Sequence, residues 1–159
     1  MNKSTLDTSL NPNAELSFVL NSQLASDTFL LASLPLCELL LMNDANYPWI
    51  ILVPRRADLT ELSDLATKDQ QQFLLESNAV SHLLQKQFSA FKLNVAALGN
   101  VVSQLHIHHI ARFESDVSWP KPIWGVVAVQ PYNASVLART IELIETGLKD
   151  SAPFKFDWL

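Results

Sequence analysis

Gln104-Leu105-His106-Ile107-His108-His109-Ile110-Ala111-Arg112 holds three of the chain's four histidines, with apolar residues between them at strand spacing. Side chains alternate across a strand, so the spacing predicts Gln104, His106 and His108 on one face and Leu105, Ile107 and His109 on the other. A neutral imidazole, with an ordinary pKa of about 6.5, can serve as nucleophile, general base or metal ligand. A lone strand histidine is more simply read as a half-buried group bonded to backbone. Polar groups spaced across a Val-, Leu- and Ile-rich segment need a stronger reason, and chemistry is expected here.

The segment resembles the signature of the histidine-triad (HIT) nucleotide hydrolases and transferases, in which His, apolar, His, apolar, His is followed by two apolar residues. Matched residue by residue, Gln104 stands at the first histidine, His106 at the middle one and His108 at the third. Gly99-Asn100-Val101-Val102-Ser103 corresponds to the family's small-polar phosphate loop, and Arg112 falls where relatives are often basic. The similarity runs from about Glu38 to Arg112. Two departures stand out. Gln104 can exchange hydrogen bonds but cannot titrate, and His109 occupies a position that is normally apolar. Reading His106 and His108 as the first and middle histidines would leave Ile110 as the third and displace Arg112, so His106 is preferred as the middle member.

Working outward, Leu36 to Met42 and Trp49 to Val53 read as two buried strands around the polar turn Asn43 to Pro48. The resemblance implies that Asn43 or Asp44 lies near the ribose hydroxyls; an Asx turn closing a hairpin explains the same residues. Relatives commonly carry a histidine where Trp49 stands. Arg55 and Arg56 read as solvated surface charges in preference to ligands. Leu59 to Leu65 suggests a short helical turn. Thr67 and Gln70 have capping-box spacing, opening a helix whose apolar stripe runs through about Gln87. His82 lies within it, in a surface or packing role.

Lys92 to Ala97 reads as a strand leading to Gly99, and the histidine strand is expected to run through about Phe113. Trp119-Pro120-Lys121-Pro122 forms a restricted loop, in which Trp119 and Trp124 read as anchors rather than base-covering groups. Gly125 to Val129 is extended and apolar. Asn133 starts a helix carrying Val136, Leu137, Ile141, Ile144 and Leu148, with Gly147 and Pro153 marking its stop. Phe154, Phe156 and Trp158 alternate with Lys155 and Asp157, as in an extended tail docking on its own core or a partner subunit.

The chain of 159 residues, 48% hydrophobic and 17% charged, suits one soluble domain. Residues 1–14 read as a polar lead-in, 15–150 as the domain and 151–159 as the tail. No apolar run reaches a membrane span and the N-terminus is unlike a secretory signal, so a cytoplasmic protein is expected. Cys37 is the single cysteine, assigned to packing, and a net charge of −5 argues against broad nucleic-acid binding. Mixed strands and helices without repeated βαβ order predict an α+β domain with an antiparallel sheet.

The resemblance implies about five strands, two main helices and a homodimer. It further implies that His106 attacks the α-phosphate of a purine nucleotide or dinucleotide, a diadenosine polyphosphate for example, or of a phosphoramidate. A nucleotidyl-histidine forms and water then hydrolyses it. His108, Gln104, Asn100 and backbone groups around Gly99 would hold the phosphate, with Arg112 beside them. No resident cofactor is implied, Mg²⁺ entering only with substrate. Two other readings stay open: a nucleotide-binding module with little turnover, and a metal site on His106 and His108, the weaker because it needs further ligands.

Overall fold

A computed structural model describes residues 18–159; the lead-in expected over residues 1–14 lies outside the described residues. The third strand in chain order, β3 (Trp49–Pro54), is buried at every position. An apolar run without polar alternation is what a strand covered on both faces requires, and β3 sits in the middle of the sheet. It pairs antiparallel with β2 (Cys37–Met42) on one side and β5 (Ile107–Arg112) on the other. Outside these lie β1 (Thr28–Ser33) and β4 (Lys92–Ala96), also antiparallel. A two-residue strand, β6 (Asp157–Trp158), completes the order β4-β5-β3-β2-β1-β6.

β6 is the C-terminal tail, paired with Ala32 and Ser33 of β1. Phe154, Phe156 and Trp158 pack against the main core, so the tail docks on its own chain and adds a sixth strand to the expected sheet of about five. Among the described residues three α-helices accompany the sheet: α1 (Ser22–Asp27), α2 (Thr67–Phe88) and α3 (Ala134–Ser151). A 3-10 turn, Leu62–Asp64, falls within the short helical turn expected over Leu59 to Leu65.

The sheet has two covered faces. On one, α2 and α3 bring Ala79, Val80, Leu83, Leu84, Ile144 and Leu148 against Leu39, Leu41, Ile50, Leu52 and Ala111. Gly147 lies inside α3 rather than ending it. A Cβ there would sit 2.9 Å from Leu83 Cβ and 2.6 Å from Gln87 Cγ, so the glycine is the point where the two helices touch. The opposite face carries Leu40, Trp49, Ile51, Val53 and Ile110, covered by Leu24 of α1 and by Tyr47 and Ile123. A cavity lined by His106 and His108 opens on this second face.

Three local expectations change. The N-cap position of α2 falls on Ala66, which offers no side-chain cap, so Thr67 is already helical, and Gln70 Nε2 turns back to the Leu65 carbonyl at 2.8 Å. Gly125 to Val129 forms no strand. The histidine strand begins at Ile107, leaving Gln104 and His106 on the bend that feeds it. At α3 the expected start holds: Asn133 Oδ1 accepts from the Val136 amide at 2.9 Å.

Candidate active site

Strand alternation puts His108, Ile110 and Arg112 on the cavity face of β5 and His109 and Ala111 on the helix face. His106, one residue before the strand, joins His108 in lining a cavity of about 460 Å³. Gly99 and Asn100 border it from the loop after β4, Trp49 from β3, Trp124 from the loop before α3, and Leu24 and Asp27 from α1. Gly99 holds φ +66°, a left-handed turn that favours glycine.

The hydrogen bonds of the two imidazoles determine their tautomers. His106 Nδ1 lies 2.7 Å from the Gln104 carbonyl oxygen. A carbonyl only accepts, so Nδ1 carries the hydrogen, and in the neutral ring Nε2 keeps its lone pair. For His108 the partner is reversed: the Trp49 indole Nε1–H donates to Nδ1 at 3.0 Å. An indole N–H only donates, so His108 carries its hydrogen on Nε2. The rings stand nearly perpendicular at 85°, with centroids 4.8 Å apart. Among the described residues no protein group bonds either Nε2, and no buried side-chain nitrogen or oxygen lacks a partner. Both Nε2 atoms therefore open to the cavity, one as an electron-pair donor and the other as a hydrogen-bond donor.

Burial holds the His108 imidazole down at about 3, reinforced by the neighbouring His106 and then His109. His108 is accordingly neutral at physiological pH, which preserves the tautomer just described. On the other face His109 is fully buried, with Nε2 2.7 Å from the Ser77 hydroxyl and Nδ1 3.3 Å from the Ile107 carbonyl. Burial pushes it to about 4, against the pull of the Ile107 carbonyl. It is a packed core group between β5 and α2.

Gln104 does not point its side chain with the two histidines. Its Oε1 accepts from the Asn21 amide and its Nε2 donates to the Val19 carbonyl, both at 2.9 Å. The amide thus ties down the segment leading into α1, a wall of the cavity, while the carbonyl of the same residue orients His106. Arg112 is not free to meet a phosphate. Its guanidinium is almost wholly buried and grips Asp116 at 2.8 and 3.1 Å, Asn94 at 2.6 Å, Ser118 at 3.2 Å and the Lys121 carbonyl at 2.8 Å. Burial alone would raise the Asp116 carboxyl, but the Arg112 hydrogen bonds and the Phe113 and Ser118 amides outweigh it and hold Asp116 at about 2. Arg112 folds the loop that presents Trp124.

Asn43 and Asp44 also serve loops. Asn43 Oδ1 accepts from the Tyr132 amide at 3.0 Å, and Asp44 Oδ1 accepts from the amides of Asn46 and Gln130. Neither borders the cavity, which is reached instead by Met42 at the strand's end. The Asx-turn reading describes Asp44. Arg55 faces Glu38 at 3.7 Å and Arg56 pairs with Asp69 at 2.7 Å. Trp124 does more than anchor a loop: its ring lies 5.6 Å from His108 and 6.2 Å from Trp49. Among the described residues no group of three His, Cys, Asp or Glu side chains gathers as a metal ion would require, and no helix is long and apolar enough to cross a membrane.

Comparison with known proteins is consistent with this geometry. The HIT domain family model matches residues 23–115. A histidine triad protein from Bradyrhizobium japonicum is similar at 42% identity and a TM-score of 0.81, the match covering 82% of this chain and 98% of that one. A histidine triad (HIT) protein from Sinorhizobium meliloti matches at 40% identity and a TM-score of 0.81, over 84% of this chain and 98% of its own. A histidine triad protein from Marinobacter aquaeolei matches at 43% identity and 0.81, over 85% and 98%. No curated protein matches the chain. The matched model spans more than half of the sequence and includes both cavity histidines, and the chain belongs to the HIT domain family, whose members are generally nucleotide hydrolases or transferases.

Proposed function

We propose that this protein is a nucleotide hydrolase or nucleotidyl transferase that works through a nucleotidyl-histidine on His106. The observation that carries the reading is the 2.7 Å bond from His106 Nδ1–H to the Gln104 carbonyl. It leaves the Nε2 lone pair facing the cavity and stabilises the positive charge that develops on the ring as that pair is donated.

In the first step His106 Nε2 forms a bond to the α-phosphorus of a nucleotide ester, anhydride or phosphoramidate. The bond from phosphorus to the leaving group breaks, and the leaving group departs with the electron pair, taking any proton it needs from solvent. In the second, water attacks the same phosphorus and gives up a proton to solvent, the N–P bond breaks, its electrons return to Nε2 and a nucleoside monophosphate is released. His108 Nε2–H, with Asn100 and the backbone around Gly99, holds the phosphoryl oxygens, where fixed donors in a largely apolar cavity act more strongly than in water. The apolar wall of Leu24, Met42 and Val102 takes the nucleoside. Gln104 contributes its carbonyl, so its replacement of a histidine leaves the nucleophile oriented.

The test is intact-protein mass spectrometry after a rapid, acid-free quench with adenosine 5′-phosphoramidate or a diadenosine polyphosphate. The wild type is expected to carry one adenylyl group and release AMP. His106→Ala is expected to form no adduct and to lose turnover by about 10⁴-fold. Nucleotide binding without adduct or product would make the protein a binding module, and full activity in His106→Ala would overturn the assignment of the nucleophile.

A further inference from the structure

Trp49 is buried on β3, opposite Ile110 and therefore one diagonal step from His108 across the antiparallel pair. Its indole meets the imidazole edge-on, with centroids 5.4 Å apart at 63°, and its only polar atom is given to His108 Nδ1 at 3.0 Å. Nothing else among the described residues bonds either nitrogen of His108. The tautomer of this ring thus depends on one side chain from a neighbouring strand.

We infer that Trp49 is a positioning residue which holds His108 as the Nε2–H tautomer, so that His108 offers a hydrogen bond to the phosphoryl group instead of a second lone pair. Two properties of an indole suit it to this. It cannot accept a hydrogen bond, so a hydrogen on Nδ1 would meet another N–H head-on. This disfavours both the Nδ1–H tautomer and the doubly protonated ring. It also cannot titrate, so the indole remains a donor at every pH at which the protein is folded. A histidine at this position, able to exchange donor and acceptor roles, would not impose the same choice.

The consequence is a division of labour between two like side chains. The Gln104 carbonyl makes His106 the one with a lone pair in the cavity, and the Trp49 indole makes His108 the one with a hydrogen. Without the indole, neutral His108 would distribute its hydrogen between both nitrogens. In the Nδ1–H form its Nε2 lone pair would face the phosphoryl oxygens and repel them. The catalytic consequence rests on the function proposed above; the tautomer itself does not.

Long-range proton–nitrogen correlation NMR on nitrogen-labelled protein, without nucleotide, reads the tautomer directly. In the wild type, His108 is expected to show hydrogen on Nε2 and an acceptor Nδ1; hydrogen on Nδ1 would overturn the inference with no variant needed. Trp49→Phe keeps an aromatic ring and removes the donor, and it is expected to populate both tautomers. An unchanged His108 spectrum in Trp49→Phe would also overturn it. In single-turnover reactions with adenosine 5′-phosphoramidate, the variant should form the adduct about tenfold more slowly, as loss of one transition-state hydrogen bond implies, with half-saturation changed less than the rate. An unchanged rate beside a mixed tautomer would remove the catalytic role. A wild type that forms no adduct, yet whose His108 tautomer follows Trp49, would support the assignment and refute the function proposed above.

Discussion

His108 and His109 are adjacent on β5, both are buried, and burial holds both imidazoles far below their ordinary pKa, at about 3 and about 4. They differ in what meets the second ring nitrogen. His109 has both nitrogens engaged, one by Ser77 and one by the Ile107 carbonyl. His108 has one engaged by Trp49 and one open to the cavity. A buried polar group in a core is normally satisfied, so an unpartnered ring nitrogen facing an apolar cavity marks where a ligand belongs. Burial and displaced pKa are common to the structural and the site histidine; completeness of hydrogen bonding separates them. Arg112 falls with His109 by this criterion, although it shares the cavity face of the strand with His108.

Arg112 gives the largest expected effect. Arg112→Ala leaves the Asp116 carboxylate buried and without its partner, which costs about 3 to 5 kcal/mol. The expected result is a lower urea midpoint together with altered fluorescence as the Trp124 loop loosens. A phosphate ligand would behave otherwise: stability near wild type, with nucleotide affinity reduced at least tenfold. That second pattern would remove Arg112 from the satisfied class and place it in the site.

What the sequence made legible follows the range of the interactions concerned. The β2–β3 hairpin, α2, α3 and the histidine strand could be read because hydrophobic periodicity and capping are local. His106 and His108 could be read because the motif itself spaces them. Gln104 could not: its side-chain partners, Val19 and Asn21, lie 85 and 83 residues away. Asn43 is similar, bound to an amide 89 residues on. Trp49 was placed on the correct strand, but its contact with His108 depends on a register that no single strand encodes. Gly147 read as a stop because a close approach between helices leaves no local mark. Arg112 is the instructive exception, since Asp116 is only four residues away. A basic residue with an acid at that distance in a loop-forming stretch carried a signal of self-satisfaction that the motif position obscured.

Acid titration sharpens the contrast between the two histidines. In the unfolded chain each titrates near 6.5, and in the folded protein at about 3 for His108 and about 4 for His109. Between those limits the unfolded chain binds more protons, so stability rises with pH and falls on acidification. The contribution is complete above about 6.5 and declines until the folded values are reached. From about pH 7.5 to about pH 5, each imidazole should remove about 2 kcal/mol from the unfolding free energy measured in urea. Asp116 titrates below this window, since its folded value is about 2. Replacing the buried pair together, as Ser77→Ala with His109→Leu, should remove about half of the pH dependence. A full dependence in that variant would mean that His109 is not held neutral by the fold.

The smallest expected effect separates the two faces most directly. Ser77→Ala removes the hydroxyl 2.7 Å from His109 Nε2 and leaves that nitrogen buried without a partner. Loss of the bond should destabilise the protein by about 1 kcal/mol, read as a shift in the urea midpoint. The rate of adduct formation on His106 should stay within about twofold of wild type, because Ser77 and His109 lie beneath the sheet and the cavity lies above it. The opposite result, an adduct rate reduced tenfold or more with an unmoved midpoint, would show that the sheet transmits the state of His109 to His108. The two histidines would then form one coupled unit, and a satisfied hydrogen bond would no longer suffice to place a residue outside the site.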